Sequence, residues 1–60
     1  MCLSNIYKNE IDDANLLAKN VAEIKVVNGE LVFTDIMGIR KTFKGNLELI
    51  DLMDNNIVVK

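Results

Sequence analysis

Sixty residues with a formal net charge of −2 and an isoelectric point near 4.8 leave room for one small domain, residues 1–60, with a thin core. A chain this short buries only about 60% of the surface that its unfolded form exposes. The acidic balance weighs against non-specific binding of phosphate backbones, which needs clustered positive charge.

Half of the residues are apolar, but the aromatic ones are only Tyr7, Phe33 and Phe43, and there is no proline. No apolar run approaches the roughly 20 residues that span a bilayer. The N-terminus lacks the basic stretch, apolar block and small-residue cleavage site of a secretory signal. With one cysteine and no histidine, an internal disulfide is impossible, and an unpaired thiol fits a reducing cytoplasm. Small domains usually recruit a metal or a partner subunit for stability; self-association is expected here.

In chain order, Met1-Cys2 comes first. A thiolate is a soft metal ligand, and nickel(II), copper(I) and zinc are its usual takers. With Met1 retained, its amine, the Cys2 amide nitrogen and the Cys2 sulfur are spaced for two fused five-membered chelate rings. With Met1 removed, the new amine and the sulfur form one ring. One chain supplies too few donors for a closed tetrahedral zinc site; two N-termini meeting at a twofold axis double the set. The competing explanation is an incidental thiol at a chain end.

Residues 10–19 read two ways. Ile11, Ala14, Leu17 and Ala18 fit a helical stripe, with Asp12 and Asp13 suited to a first turn. Asn15–Lys19 also fits a short strand after an acidic turn, and this second assignment is preferred. Glu10, Asp12 and Asp13 offer hard oxygen ligands, but the glycine and glutamate spacing of a calcium loop is missing, so they read as a solvated turn.

From residue 21 the chain alternates as strands do. Ala22, Ile24 and Val26 share one face, Glu23 and Lys25 the other. Asn28-Gly29 predicts a type I′ hairpin between Val21–Val27 and Glu30–Thr34. Leu31 and Phe33 then point one way, Glu30 and Thr34 the other. Gly38, Gly45-Asn46 and Asp54-Asn55-Asn56 mark further turns. Arg40, Lys41 and Lys44 surround Phe43, a pattern found on single-stranded nucleic-acid platforms. Strand alternation, however, puts Phe43 on the side opposite Lys44, with Lys41 sharing the inward parity. Leu47 and Leu49 have one parity, Ile50 and Leu52 the other. Either a bulge falls near Leu49-Ile50, or both faces are covered, one by a partner chain. Ile57 and Val59 complete the pattern. No linker or internal repeat divides the chain.

The expected fold is all-β: a small antiparallel barrel or curled sheet of five or six short strands, about ten residues apiece with their turns. Catalysis has no support. No histidine activates Cys2 or a serine, there is no Gly-rich phosphate loop, and Asp51 and Asp54 merely flank a turn; the chain is not expected to be an enzyme.

Met1-Cys2-Leu3-Ser4, Asn20-Val21-Ala22-Glu23-Ile24, Phe33-Thr34-Asp35-Ile36-Met37-Gly38, Ile50-Asp51-Leu52-Met53-Asp54 and Ile57-Val58-Val59-Lys60 together resemble the CooT family over nearly the whole chain. These are small nickel-binding accessory proteins of nickel-dependent carbon monoxide dehydrogenase maturation. The resemblance implies a β-barrel homodimer that binds nickel(II) through Cys2, with the terminal nitrogens of Met1 and Cys2 as co-ligands, and a nickel-dependent client whose identity it leaves open. Similar sequences have also been labelled predicted RNA-binding proteins, a label that suits a barrel better than it suits this acidic charge balance. The alternative function is therefore single-stranded nucleic-acid binding through Arg40, Lys41 and Lys44.

Overall fold

A computed structural model describes residues 3–60. The strands are β1 (Ser4–Lys8), β2 (Leu16–Val27), β3 (Glu30–Asp35), β4 (Arg40–Lys44), β5 (Leu47–Asp51) and β6 (Asn56–Val59), with a 3-10 turn at Asp13–Asn15. They form one sheet in the order β4-β3-β2-β1-β6-β5. The expected all-β class is correct, but two details of the expectation are not. The β1–β6 ladder is parallel, with Asn5 beside Asn56 and Ile6 beside Ile57, so the sheet is mixed rather than antiparallel. Nor is it a closed barrel: β4 and β5 are its two edges, and no ladder joins them.

The connection between those edges nevertheless curls the sheet. Only Gly45 and Asn46 separate β4 from β5, although the two strands lie at opposite ends of the strand order. The pairings make β4 and β5 run in the same direction, so the chain crosses from one edge to the other and continues onward. Asn46 and Lys60 exchange backbone hydrogen bonds of 3.1 and 3.0 Å at this crossing. A Cβ on Gly45 would lie 2.6 Å from the Lys60 carbonyl oxygen and against the Phe43 ring, so the close approach requires glycine.

The Asn28-Gly29 turn forms as expected, with φ of 50° and 80° and Val27 opposite Glu30. Two positive φ values match the right-handed twist of the flanking strands. In residues 10–19 the turn-plus-strand assignment is correct. Asp12, in extended conformation, caps the 3-10 turn by accepting from the Ala14 N–H at 3.0 Å, and β2 starts at Leu16.

β2 departs from simple alternation. Its register against β1 slips between Val21 and Ala18, where Asn20 takes φ 54°, and its register against β3 slips between Val21 and Glu23. Each slip inserts a residue and switches the face that follows. Buried Ala18, buried Val21 and half-buried Ile24 therefore recur every third residue, while Ala22 is exposed, contrary to its expected place beside Ile24. Val26 keeps the parity of Ile24 and pairs with buried Leu31, but it sits near the hairpin tip and is 67% exposed.

The core on the inner face comprises Ile6, Ala18, Val21, Leu31, Phe33, Ile57 and Val59, with Leu17, Ile24 and Phe43 packed against it. Tyr7 and Val58, paired across the β1–β6 ladder, are also buried. By strand alternation they face the other side from Ile6 and Ile57. The parity conflict in β5 resolves as a bulge, placed between Leu47 and Leu49. Glu48 is the extra residue, so Leu47 and Ile50 share a face, opposite Val59 and Ile57, while Leu49 pairs with Val58 on the other.

Candidate functional site

Met1 and Cys2, the sequence-predicted metal ligands, lie outside the described residues. The structure does define where they enter the fold. Ser4 begins β1 opposite Val21, and the Asn5 N–H donates to the Asn55 carbonyl at 2.9 Å. The Asn5 Oδ1 accepts from the Asn20 N–H at 3.4 Å. The start of β1 is thus held between β2 on one side and β6 with its preceding turn on the other. A shallow depression of about 210 Å³ opens beside it, lined by Ser4, Val21, Ala22, Glu23, Ile24 and Ile57.

Among the described residues, no group of three or more carboxylate, cysteine or histidine side chains is placed to hold a metal ion. Glu10, Asp12 and Asp13 are exposed, and Asp12 is engaged in capping its own turn. Asp51 accepts from the Met53 and Asp54 N–H groups at 3.0 and 3.3 Å, so it also holds a turn together. The chain's only thiol, with no histidine present, is then the only soft donor besides the methionine thioethers. Thiolate with adjacent backbone nitrogen is a donor set that fits nickel(II).

The basic residues of β4 do not form one platform. Lys41 pairs with Phe33 and shares the inner face with Phe43, whereas Arg40 and Lys44 belong to the other face. Phe43 is half-buried against the core and offers no free stacking surface. Lys44 lies 4.0 Å from the Glu30 carboxylate, both exposed. The Lys41 ammonium is engaged with the backbone, donating to the Leu17 carbonyl at 3.0 Å. β3 reaches β2 only as far as Val21, so the β3-facing side of Leu16–Asn20 has no strand neighbour. The Ile36 N–H takes the Asn20 carbonyl at 3.0 Å and Lys41 takes that of Leu17. A lysine over an open strand edge discourages pairing with another chain.

The family profile described as CO dehydrogenase accessory protein CooT matches residues 1–60, the full chain. The chain belongs to the CooT family. Its fold agrees with a crystal structure assigned as CooT from Carboxydothermus hydrogenoformans, at a TM-score of 0.85 and 22% identity, over 97% of this chain and 94% of that one. At that identity the likeness establishes the fold alone. No curated protein matches the chain significantly in sequence. The CooT description is that of an accessory to CO dehydrogenase, not of the enzyme that performs the reaction. No helix among the described residues is long and apolar enough to cross a membrane.

This CooT chain has a second surface feature that the site residues chosen from sequence passed over. Leu47, Leu49, Ile50, Leu52 and Met53 are all exposed, Met53 by 93%. They occupy edge strand β5 and the turn that follows it. The conflicting parities of Leu47, Leu49, Ile50 and Leu52 were the available signal: a strand apolar on both faces at a sheet edge leaves one set uncovered.

Proposed function

We propose that the chain is a nickel(II)-binding accessory protein that carries the ion to a nickel-dependent enzyme, with CO dehydrogenase the client that its family description names. The Cys2 thiolate supplies sulfur, and the backbone nitrogens of Met1 and Cys2 complete the donor set. Two such ends, brought together in a cytoplasmic homodimer, share one ion. The whole-chain family match carries this reading. A lone thiol in a histidine-free chain supports it, as does the absence of a rival carboxylate cluster among the described residues.

Strong-field sulfur and nitrogen donors favour square-planar nickel(II). Binding displaces the thiol proton and that of any amide used, so affinity rises with pH. A site built on a chain end is open to an incoming ligand, which suits transfer better than storage. Titration with nickel(II) tests the site through sulfur-to-metal charge-transfer absorption, expected in the wild type and lost in Cys2→Ser. Sedimentation across protein concentrations tests the dimer: a nickel-loaded chain that stays monomeric throughout removes the shared site.

A further inference from the structure

We propose that β5 and the β5–β6 turn form the docking surface for the client enzyme, and that the client meets it with a basic surface containing apolar contacts. The inference rests on the nickel-carrier reading and adds to it the place and chemistry of the encounter.

Three observations carry it. The first is the apolar patch. Leu49, Ile50, Leu52 and Met53 are 47%, 52%, 76% and 93% exposed within a single short stretch of chain. An edge strand with this content is ordinarily blunted by lysine or proline. The β2 edge has its lysine in Lys41, but β5 has neither residue.

The second is rigidity. Asp51 fixes the turn through its bonds to the Met53 and Asp54 N–H groups, and β5 is laddered to the buried strand β6. Leu52 and Met53 are therefore held out on an ordered turn, so little conformational freedom is lost when they are covered.

The third is position and charge. The Asn5–Asn55 hydrogen bond of 2.9 Å places this turn beside the start of β1, the end from which Met1 and Cys2 extend. A client seated on the patch is thus next to the ion it receives. From Gly45 to Val59 the ionisable side chains are Glu48, Asp51 and Asp54, with no cation. A second copy placed on this surface by a twofold axis would set carboxylates against carboxylates. A partner bearing lysine or arginine is attracted and steered instead.

The test uses nickel-deficient CO dehydrogenase as the immobilised partner and the full chain in solution. Wild type is expected to bind, more weakly as salt is added. The double variant Leu52→Ser with Met53→Ser, fully solvent-facing and harmless to the core, should weaken docking by about tenfold or more. Glu48→Lys with Asp54→Lys should slow association. Both pairs should take up nickel as wild type does, whereas Cys2→Ser should dock normally and carry no ion. The proposal is overturned if wild type does not dock, or if the Leu52/Met53 variant docks as tightly as wild type. It is equally overturned if that variant loses docking only in step with conversion of dimer to monomer, which assigns the surface to a second copy. Wild type that docks through this patch but takes up no nickel supports the surface and contradicts the carrier reading, so the two failures are distinct.

Discussion

The backbone N–H of Asn5 donates to the carbonyl of Asn55 at 2.9 Å, joining the first strand to the last turn of the chain. Asn55 makes this contact from a left-handed conformation, φ 56°. Asparagine tolerates that region and glycine accepts it freely, but a β-branched side chain does not. Asn55→Gly should therefore leave stability nearly unchanged, and Asn55→Val should cost about 1–2 kcal/mol. Thermal unfolding followed by circular dichroism checks this: a shift of about 4–8 °C is expected per kcal/mol in a domain of this size. Equal midpoints for the two variants would contradict the role given to the backbone here.

Gly45 lies at the point where the chain crosses from one sheet edge to the other. A methyl group there meets both the Phe43 ring and the Lys60 carbonyl, and the backbone contact cannot turn aside as a flexible side chain could. Gly45→Ala should destabilise by about 1–3 kcal/mol, as overpacking does, a large share of the roughly 3–9 kcal/mol expected for a chain of this length. Gly29→Ala is the useful comparison. It meets no neighbouring atom but must adopt φ 80°, so its cost comes from backbone strain alone, about 1 kcal/mol. Urea unfolding midpoints should rank wild type, then Gly29→Ala, then Gly45→Ala.

Lys41 is a cation committed to the fold. Lys41→Met keeps the aliphatic stem and removes the bond to the Leu17 carbonyl, leaving the β2 edge open. The expected loss is about 1 kcal/mol, with faster amide hydrogen exchange along Leu16–Asn20 than in wild type. If Lys41 instead served nucleic acid, the variant would lose salt-sensitive retention of single-stranded RNA and keep its exchange pattern. The division of Arg40, Lys41 and Lys44 between two faces predicts the first result.

The legible and illegible parts of this fold have separate physical causes. Local turn chemistry was readable: Asn28-Gly29 can do little other than a tight hairpin, and its two positive φ values match the expectation. The inward parity of Lys41 and Phe43 also followed from alternation alone. The parallel β1–β6 pairing was not readable, because nothing in Ile6 or Ile57 records the direction of a neighbour so distant in the chain. The bulges in β2 were hidden for a related reason. Asn20 and Ala22 look like ordinary strand residues, yet each slip moves the buried set, so that Ala18, Val21 and Ile24 align where a period of two would not place them. The β5 conflict did point to a bulge, and the structure puts it at Glu48 rather than at Leu49-Ile50. Closure failed as an expectation because the two-residue Gly45-Asn46 link brings the edges to one crossing point without aligning them for a ladder. As for the site, Cys2 was singled out by residue type and position, while the apolar surface of Leu52 and Met53 became visible only once β5 was known to be an edge.

Sharing of one nickel ion by two chain ends through Cys2 is tested most directly by native mass spectrometry of the nickel-titrated protein. One ion per two chains is predicted for wild type, with the mass lowered by the displaced protons and uptake stronger at pH 8 than at pH 6, because an unperturbed thiol ionises near about 8.5. Cys2→Ser should show the same folded chain without the ion. Equal nickel uptake by wild type and Cys2→Ser would contradict the account.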